Sequence, residues 1–286
     1  MIFVNIYKNG HNNNMQTKNR LTISLDKKIL LKLDGYIKTN NLSNRSHAIE
    51  HIINQHLGTA VKQCVILAGG KTKTQCLSPL LRIHNRPVIA YQIDKLKNAG
   101  IKDLYIVINS AYQNLKQYLG DGKQWGINII FILDKKNIGR AHALWLCKKY
   151  LTETFLLFYG DILSEVDLLD FIDFHQKQNH PITTIAVASS RFPKNFDVCR
   201  TKGPLIVEYY KKNAASENLR LVNTGMIICE PKIFTFLPES ILAKKNLDVF
   251  HDLAQRQLLY GYIFDGWWFD MSFPQEHALA NEKWYK

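Results

Sequence analysis

The stretch CVILAGG, residues 64–70, is a run of strand-forming apolar side chains that halts on two glycines, Gly69 and Gly70. A buried strand that empties into a loop without side chains is how a parallel sheet brings backbone close to a phosphate. Such a strand needs helices to cover both of its faces, and the chain downstream supplies them. Ile89, Ile93 and Leu96 recur at helical spacing and predict a helix over 87–99, ended by Gly100. A strand at 104–108, a helix at 112–119, a strand at 127–133, a helix at 140–151 and a strand at 155–159 follow in turn. This alternation predicts a mainly parallel sheet with helices on both faces. Beyond residue 182 the pattern changes to strands at 182–189, 204–210, 221–229 and 260–270, separated by short helices.

Upstream of the glycine strand the chain is of a different kind. Residues 1–19 are rich in Asn and Lys without an apolar period, which predicts a disordered leader, with Met15 as an alternative start. Residues 20–57 begin with Leu21, Ile23 and Leu25 alternating with Arg20, Thr22 and Ser24, a short amphipathic strand. Asp26 then caps a helix with Leu30, Leu33 and Ile37 on one face, and a second helix carries Ile49, Ile52, Ile53 and Leu57. A strand and two helices of this size cannot bury their own apolar faces, and the lone strand leaves an edge unpaired, so the unit predicts a homodimer. A linker at 58–63 leads to the large domain, 64–286.

Charge divides along the same boundary. Residues 1–58 carry 8 Lys and Arg against 3 Asp and Glu, while the rest carries 29 against 21. The small segment suits a polyanion such as nucleic acid; the large one fits a basic soluble enzyme. The 5 cysteines are odd in number and form no CxxC pair, and the 10 histidines show no ligand spacing. Free thiols in a reducing compartment follow, and zinc does not. No apolar run reaches the length of a membrane span and the N-terminus lacks a signal peptide, so the expected location is cytoplasmic.

The segment RLTISLDKKILLKLDGYIKTNNLSNRSHAIEHIINQHL resembles the ribbon-helix-helix family of DNA-binding proteins over residues 20–57. That resemblance implies a dimer whose paired strands lie in the major groove, with Arg20, Thr22 and Ser24 facing base edges. Amides at the start of the second helix, beside Asn44 and Arg45, would then meet a phosphate. The alternative is a dimerisation clip with no role in DNA binding.

In the large domain, Asp161 and Asp270 are carboxylates at strand ends, where open sheets bind ligands, and such a pair with phosphate oxygens suits Mg²⁺. The motifs VILAGG, SPLLRIHNRPVIAYQIDKLKNAGI, NIGRAHAL, FYGDIL, VNTGMIICEP and WFDMSFPQEHALA, taken in order, resemble the nucleotidyltransferases that make nucleotide sugars. The resemblance implies a Rossmann-like mixed sheet of the glycosyltransferase-A type. It further implies that Leu67, Ala68, Gly69, Gly70 and Gly139 bind a nucleoside triphosphate and that Lys212 and Asn223 hold a sugar 1-phosphate. Asp161 and Asp270 are implied to hold Mg²⁺. Catalysis of this kind is positioning plus charge neutralisation, with no covalent nucleophile.

Several positions depart from the family's pattern. Its glycine loop has lost the second glycine and the arginine, Ser78 stands where a catalytic lysine belongs, and Arg86 occupies a later Lys-Pro position. The cationic work then falls to Arg86 and to a loop lysine, Lys73, with Lys71 and Arg82 as alternatives. Arg140 and His142 bring bulk to a motif that is otherwise small. Two readings follow: an enzyme fused to a DNA-binding module, or a binding domain of poor turnover that acts as the sensor of a regulator. The aromatic run 264–269 is expected in the core rather than in a base-stacking platform.

Overall fold

A computed structural model describes residues 22–39, 42–57, 61–69, 78–109, 113–190, 192–212, 219, 221–237 and 249–284. The chain divides into two compact units, 1–56 and 57–286.

In the first unit, α1 (Lys27–Thr39) begins where the Asp26 carboxylate accepts the Ile29 amide at 2.8 Å. The second helix, α2 (Arg45–Leu57), is capped by Asn44, whose Oδ1 accepts the His47 amide at 2.9 Å. Each cap satisfies an amide that the helix itself leaves without a partner. Arg45 forks onto both oxygens of Asp34 at 2.8 Å and so ties the start of α2 to α1. Leu33 and Ala48 are buried, whereas Leu31 stays 65% and Ile29 47% exposed. The described part of the expected strand, residues 22–25, forms no strand and pairs with none among the described residues, while Arg20 and Leu21 lie outside them. A ribbon needs a partner edge, and a single chain offers none.

The second unit opens with β1 (Gln63–Leu67). A tight hairpin follows, β2 (Arg82–Ile83) and β3 (Arg86–Pro87), turned by His84 and Asn85 at φ 48° and 67°. After it come α3 (Val88–Asn98), β4 (Asp103–Ile108), α4 (Gln113–Leu119), β5 (Asn128–Leu133) and α5 (Arg140–Trp145). Then β6 (Phe155–Tyr159), β7 (Ile162–Ser164), α6 (Leu168–Gln176), β8 (Thr183–Ser189), β9 (Val198–Lys202), β10 (Leu205–Tyr210) and β11 (Leu221–Cys229). The chain closes with α7 (Val249–Gln255), β12 (Leu259–Ile263), β13 (Trp268–Asp270) and α8 (Pro274–Lys283).

One nine-stranded sheet runs in the order β5-β4-β1-β6-β11-β8-β12-β10-β9. Strands β5, β4, β1 and β6 are parallel, so their carboxyl ends share one edge. From β11 onward the sheet is mixed: β11 runs antiparallel to β6 and β8, while β12 runs parallel to β8. β9 pairs with both β10 and β11, so this half folds back on itself. The parallel arrangement expected of the alternating strands thus holds, and β11, β8, β12, β10 and β9 complete the mixed sheet. Sequence patterning also joined residues 260–270 into one strand; they form β12 and β13, separated at the Asp265–Gly266 turn, and the second pairs outside the main sheet. Equally, the helix expected over 140–151 stops at Trp145, and a 3-10 turn at Lys148–Tyr150 completes it.

Central strands are buried on both faces, as their unbroken apolar runs require. Ile66, Ile106 and Phe158 pack under α3 and α6 with Ile93 and Phe171, and Val65, Val107 and Leu157 pack on the other face with Ile185 and Leu253. Deep in this sheet β11 changes register between Asn223 and Ile227. Gly225 lies at this irregularity with φ 79°, where a Cβ would meet the Tyr159 ring at 2.6 Å. Left-handed backbone and ring contact both demand glycine there. Gly225→Ala should therefore destabilise the domain by about 1–3 kcal/mol or more, read from the urea midpoint of unfolding.

Candidate active site

A cleft of about 470 Å³ lies at the carboxyl edge of the parallel strands. The end of β1 brings Leu67, Ala68 and Gly69 to its wall. This segment is held on both sides: Ala68 donates its amide to Val107 O at 2.9 Å, and Gly160 donates to Leu67 O at 3.0 Å. The Asn109 side-chain amide fixes the Gly69 carbonyl at 2.7 Å. Gly139 joins the same cleft from the loop before α5. That loop is fixed by Asp134, which accepts the amides of Lys136 and Asn137 at 3.1 and 2.9 Å and lies 3.1 Å from His142.

The two strand-end carboxylates meet through a small ribbon. β7 pairs antiparallel with β13, setting Asp270 opposite Ile162, and Met271 donates its amide to Asp161 O at 2.8 Å. Gln92 of α3, itself buried, donates its side-chain amide to the carbonyls of Tyr159 and Ile162 at 2.9 and 2.6 Å. It thereby brackets the turn that carries Asp161. Burial and the neighbouring Asp270 push the Asp161 carboxyl up to about 7. Burial likewise raises Asp270, although the Ser272 amide and hydroxyl oppose that rise. Two recessed carboxylates, the first with its proton affinity raised by the second, form a donor set short of positive charge, which fits a hard dication such as Mg²⁺. Among the described residues lining the cleft, four are carboxylates (Asp134, Asp161, Asp197 and Asp270) and two are cations (Arg140 and Lys212), a deficit of the same sign.

At the far end, Asp197 organises the residues expected to hold a sugar phosphate. Its carboxylate accepts the Lys212 amide and the Tyr209 hydroxyl, both at 3.0 Å. Tyr209 in turn accepts the Asn223 side-chain amide at 2.9 Å, and Asn223 Oδ1 accepts the Gly225 amide at 2.8 Å. Asn223 is buried yet lines the cleft. Trp268 forms part of this wall, with Phe196 edge-on at 4.8 Å and Phe273 packed edge-on against Phe196 at 5.4 Å. The aromatic run expected in the core therefore divides: Phe269 is buried, Trp267 is exposed, and Trp268 faces the cleft.

Leu67, Ala68, Gly69, Gly139, Asp161, Asp270, Lys212 and Asn223 are thus brought together. Arg86 is not among them. Its guanidinium pairs with Asp94 and lies 4.8 Å over the Tyr91 ring, on the hairpin and α3. Gly70, Lys73 and Arg20 lie outside the described residues, while Thr22 and Ser24 are exposed ahead of α1. Sequence reasoning missed Asp134, Asp197 and Gln92. Asp197 directly precedes β9, a strand whose mixed polar pattern gave no periodic signal, and Gln92 sits mid-helix with nothing local to mark it.

The Nucleotidyl transferase family model matches residues 63–283, and the chain belongs to that family. A mannose-1-phosphate guanyltransferase of Yarrowia lipolytica is 24% identical over 231 residues, which are 76% of this chain and 62% of that protein. The chain thus spans about three fifths of that relative's length. Among solved structures, HddC from Yersinia pseudotuberculosis superposes with a TM-score of 0.65 at 17% identity, covering 79% of this chain and all of its own. A UDP-glucose pyrophosphorylase complexed with UDP-glucose gives 0.64 at 20% identity, covering 79% of this chain and 98% of its own. These likenesses carry the fold. No helix among the described residues is long and apolar enough to cross a membrane.

The raised Asp161 has a thermodynamic consequence. A carboxyl with a folded pKa about 7 against 3.8 unfolded binds its proton more tightly when folded, so its contribution is full below the unfolded value and is lost as pH rises through about 7. Without divalent metal, the Asp161 contribution to thermal stability should fall between about pH 4 and 7, and Asp161→Asn should flatten that dependence. The check is calorimetric Tm against pH in EDTA for both proteins.

Proposed function

We propose that the large unit joins a sugar 1-phosphate to a nucleoside triphosphate, giving a nucleotide sugar and pyrophosphate. The observation that carries this reading is the single cleft that gathers the glycine strand, the Asp161 and Asp270 pair, Lys212 and Asn223. The kinship with sugar-1-phosphate nucleotidyltransferases supports the same class of chemistry.

In this reaction an oxygen of the sugar phosphate forms a bond to the α-phosphorus while the bond from that phosphorus to the bridging oxygen of the leaving pyrophosphate breaks. Gly69 and Gly139 let backbone approach the triphosphate closely. Lys212 supplies charge to the sugar phosphate, and Asn223, oriented by Tyr209 and Gly225, retains hydrogen-bonding capacity for a sugar hydroxyl. Asp161 and Asp270 would hold Mg²⁺, whose charge offsets that of the phosphates. Pyrophosphate release from a panel of triphosphates and sugar 1-phosphates should be detectable with Mg²⁺, and Asp161→Asn should lower it by about 10²-fold or more. A protein that binds both substrates but releases nothing would instead be a sensor. The pairing of Arg86 with Asp94, away from the cleft, favours that second reading.

The small unit is proposed to be a ribbon-helix-helix module that dimerises and binds DNA, with Arg20, Thr22 and Ser24 toward the bases and the amides beside Asn44 and Arg45 toward a phosphate. Its basic excess supports this, and a cytoplasmic protein with reduced thiols accords with it: Cys64, Cys147, Cys199 and Cys229 are free and buried. Binding of the full chain to duplex from its own upstream region should weaken steeply with salt, and Arg20→Ala should cost about 1–3 kcal/mol. Mobility shift across a salt series is the measurement, and an Arg20→Ala protein that binds as tightly as the parent would leave the module a dimerisation clip.

A further inference from the structure

Arg140 is the first residue of α5, yet its side chain leaves the helix and enters the cleft, where the guanidinium lies 4.1 Å from the centre of the Tyr159 ring. Tyr159 is the last residue of β6, immediately before Gly160 and Asp161. One side chain therefore reaches from the loop wall, beside Gly139, to the strand end that carries the carboxylate pair. Asp161, Asp197 and Asp270 line the same cleft around it. The other described cation lining the cleft, Lys212, has its backbone amide fixed by Asp197.

We infer that Arg140 is a phosphate-binding residue of this cleft, the cation that meets the triphosphate of the bound nucleotide. The inference rests on the proposed function and deepens it. Three features carry it. The loop that presents Arg140 is held by the Asp134 hydrogen bonds to Lys136 and Asn137, so the side chain departs from a fixed point. The Tyr159 ring supports the guanidinium inside the cleft, where it presents a planar set of N–H donors. A planar fork matches phosphate oxygens bidentately. Finally, Asp161 and Asp270 attract both Arg140 and a dication. Asp161 and Asp270 would hold such a dication, and Arg140, lining the same cleft, would add its charge to the phosphates bound there. The bulk that Arg140 adds at this point of the motif then serves as a ligand contact and not as an obstruction.

The test uses the full chain with Mg²⁺ and titration calorimetry, with inorganic tripolyphosphate as a probe independent of the base, and with GTP, GDP, GMP, UTP, CTP, ATP and dTTP. Arg140→Met and Arg140→Lys are compared with the parent after thermal unfolding confirms folding; Arg140→Gln replaces Arg140→Met if that variant does not fold. The expected result is a loss of ten-fold or more in tripolyphosphate and triphosphate affinity for Arg140→Met. That loss should shrink from tri- to di- to monophosphate and be partly restored in Arg140→Lys. Equal affinity in parent and variant for every probe overturns the inference, and so does tighter binding by Arg140→Met, which would make Arg140 an obstruction. A parent that binds none of the probes overturns the proposed function itself, and with it this role. Binding by the parent without turnover leaves the role of Arg140 intact and decides only between enzyme and sensor.

Discussion

The pairing of β7 with β13 is the constraint on which the cleft depends. It is only three residues long on each side, but it draws Asp270 from near the C-terminus to the foot of β6, where Asp161 leaves the sheet. Two like charges do not approach one another without compensation, and the ribbon supplies only geometry. Backbone bonds on either side make that geometry rigid: Gln92 clamps the carbonyls flanking Asp161, and Ser272 holds Asp270. The result is a pair of recessed carboxylates, in which burial and Asp270 raise the proton affinity of Asp161.

Around that pair the cleft has an electrostatic gradient. Arg140, resting on Tyr159, faces the carboxylates from the Gly139 side, and Lys212, positioned through Asp197, faces them from the Asn223 side. The Asp197, Tyr209 and Asn223 chain matters for the same reason as Gln92. Buried polar groups linked end to end hold one arrangement, because breaking any link strands a polar group away from water. Arg86, in contrast, has its charge taken up by Asp94 of the adjoining α3 and does not line the cleft.

The small unit follows another logic. Its two helices are capped at Asp26 and Asn44 and tied by Arg45 to Asp34, so local structure is well specified. Its apolar surface is only partly used, with Ile29 and Leu31 facing solvent. An exposed pair such as Arg45 and Asp34 is weakened by solvent screening and does not replace that missing burial.

Much of this was legible in the amino-acid order. Strands that are apolar without interruption, Cys64 to Leu67 and Phe155 to Tyr159, declare burial on both faces, and glycines at their ends declare where a ligand can approach. Asp161 was visible because it ends such a strand, and Asn223 and Lys212 because their motifs resemble a family's. The sequence determined the local elements, their caps and the carboxylates because these depend on neighbours a few residues away. Tertiary structure alone decided that 260–270 would split so that Asp270 could cross to Asp161. It also decided that Arg86 would turn away, that Trp268 would face the cleft, and that Asp197 would join Lys212 to Asn223. Those outcomes depend on which distant strands share an edge, and no local periodicity records that.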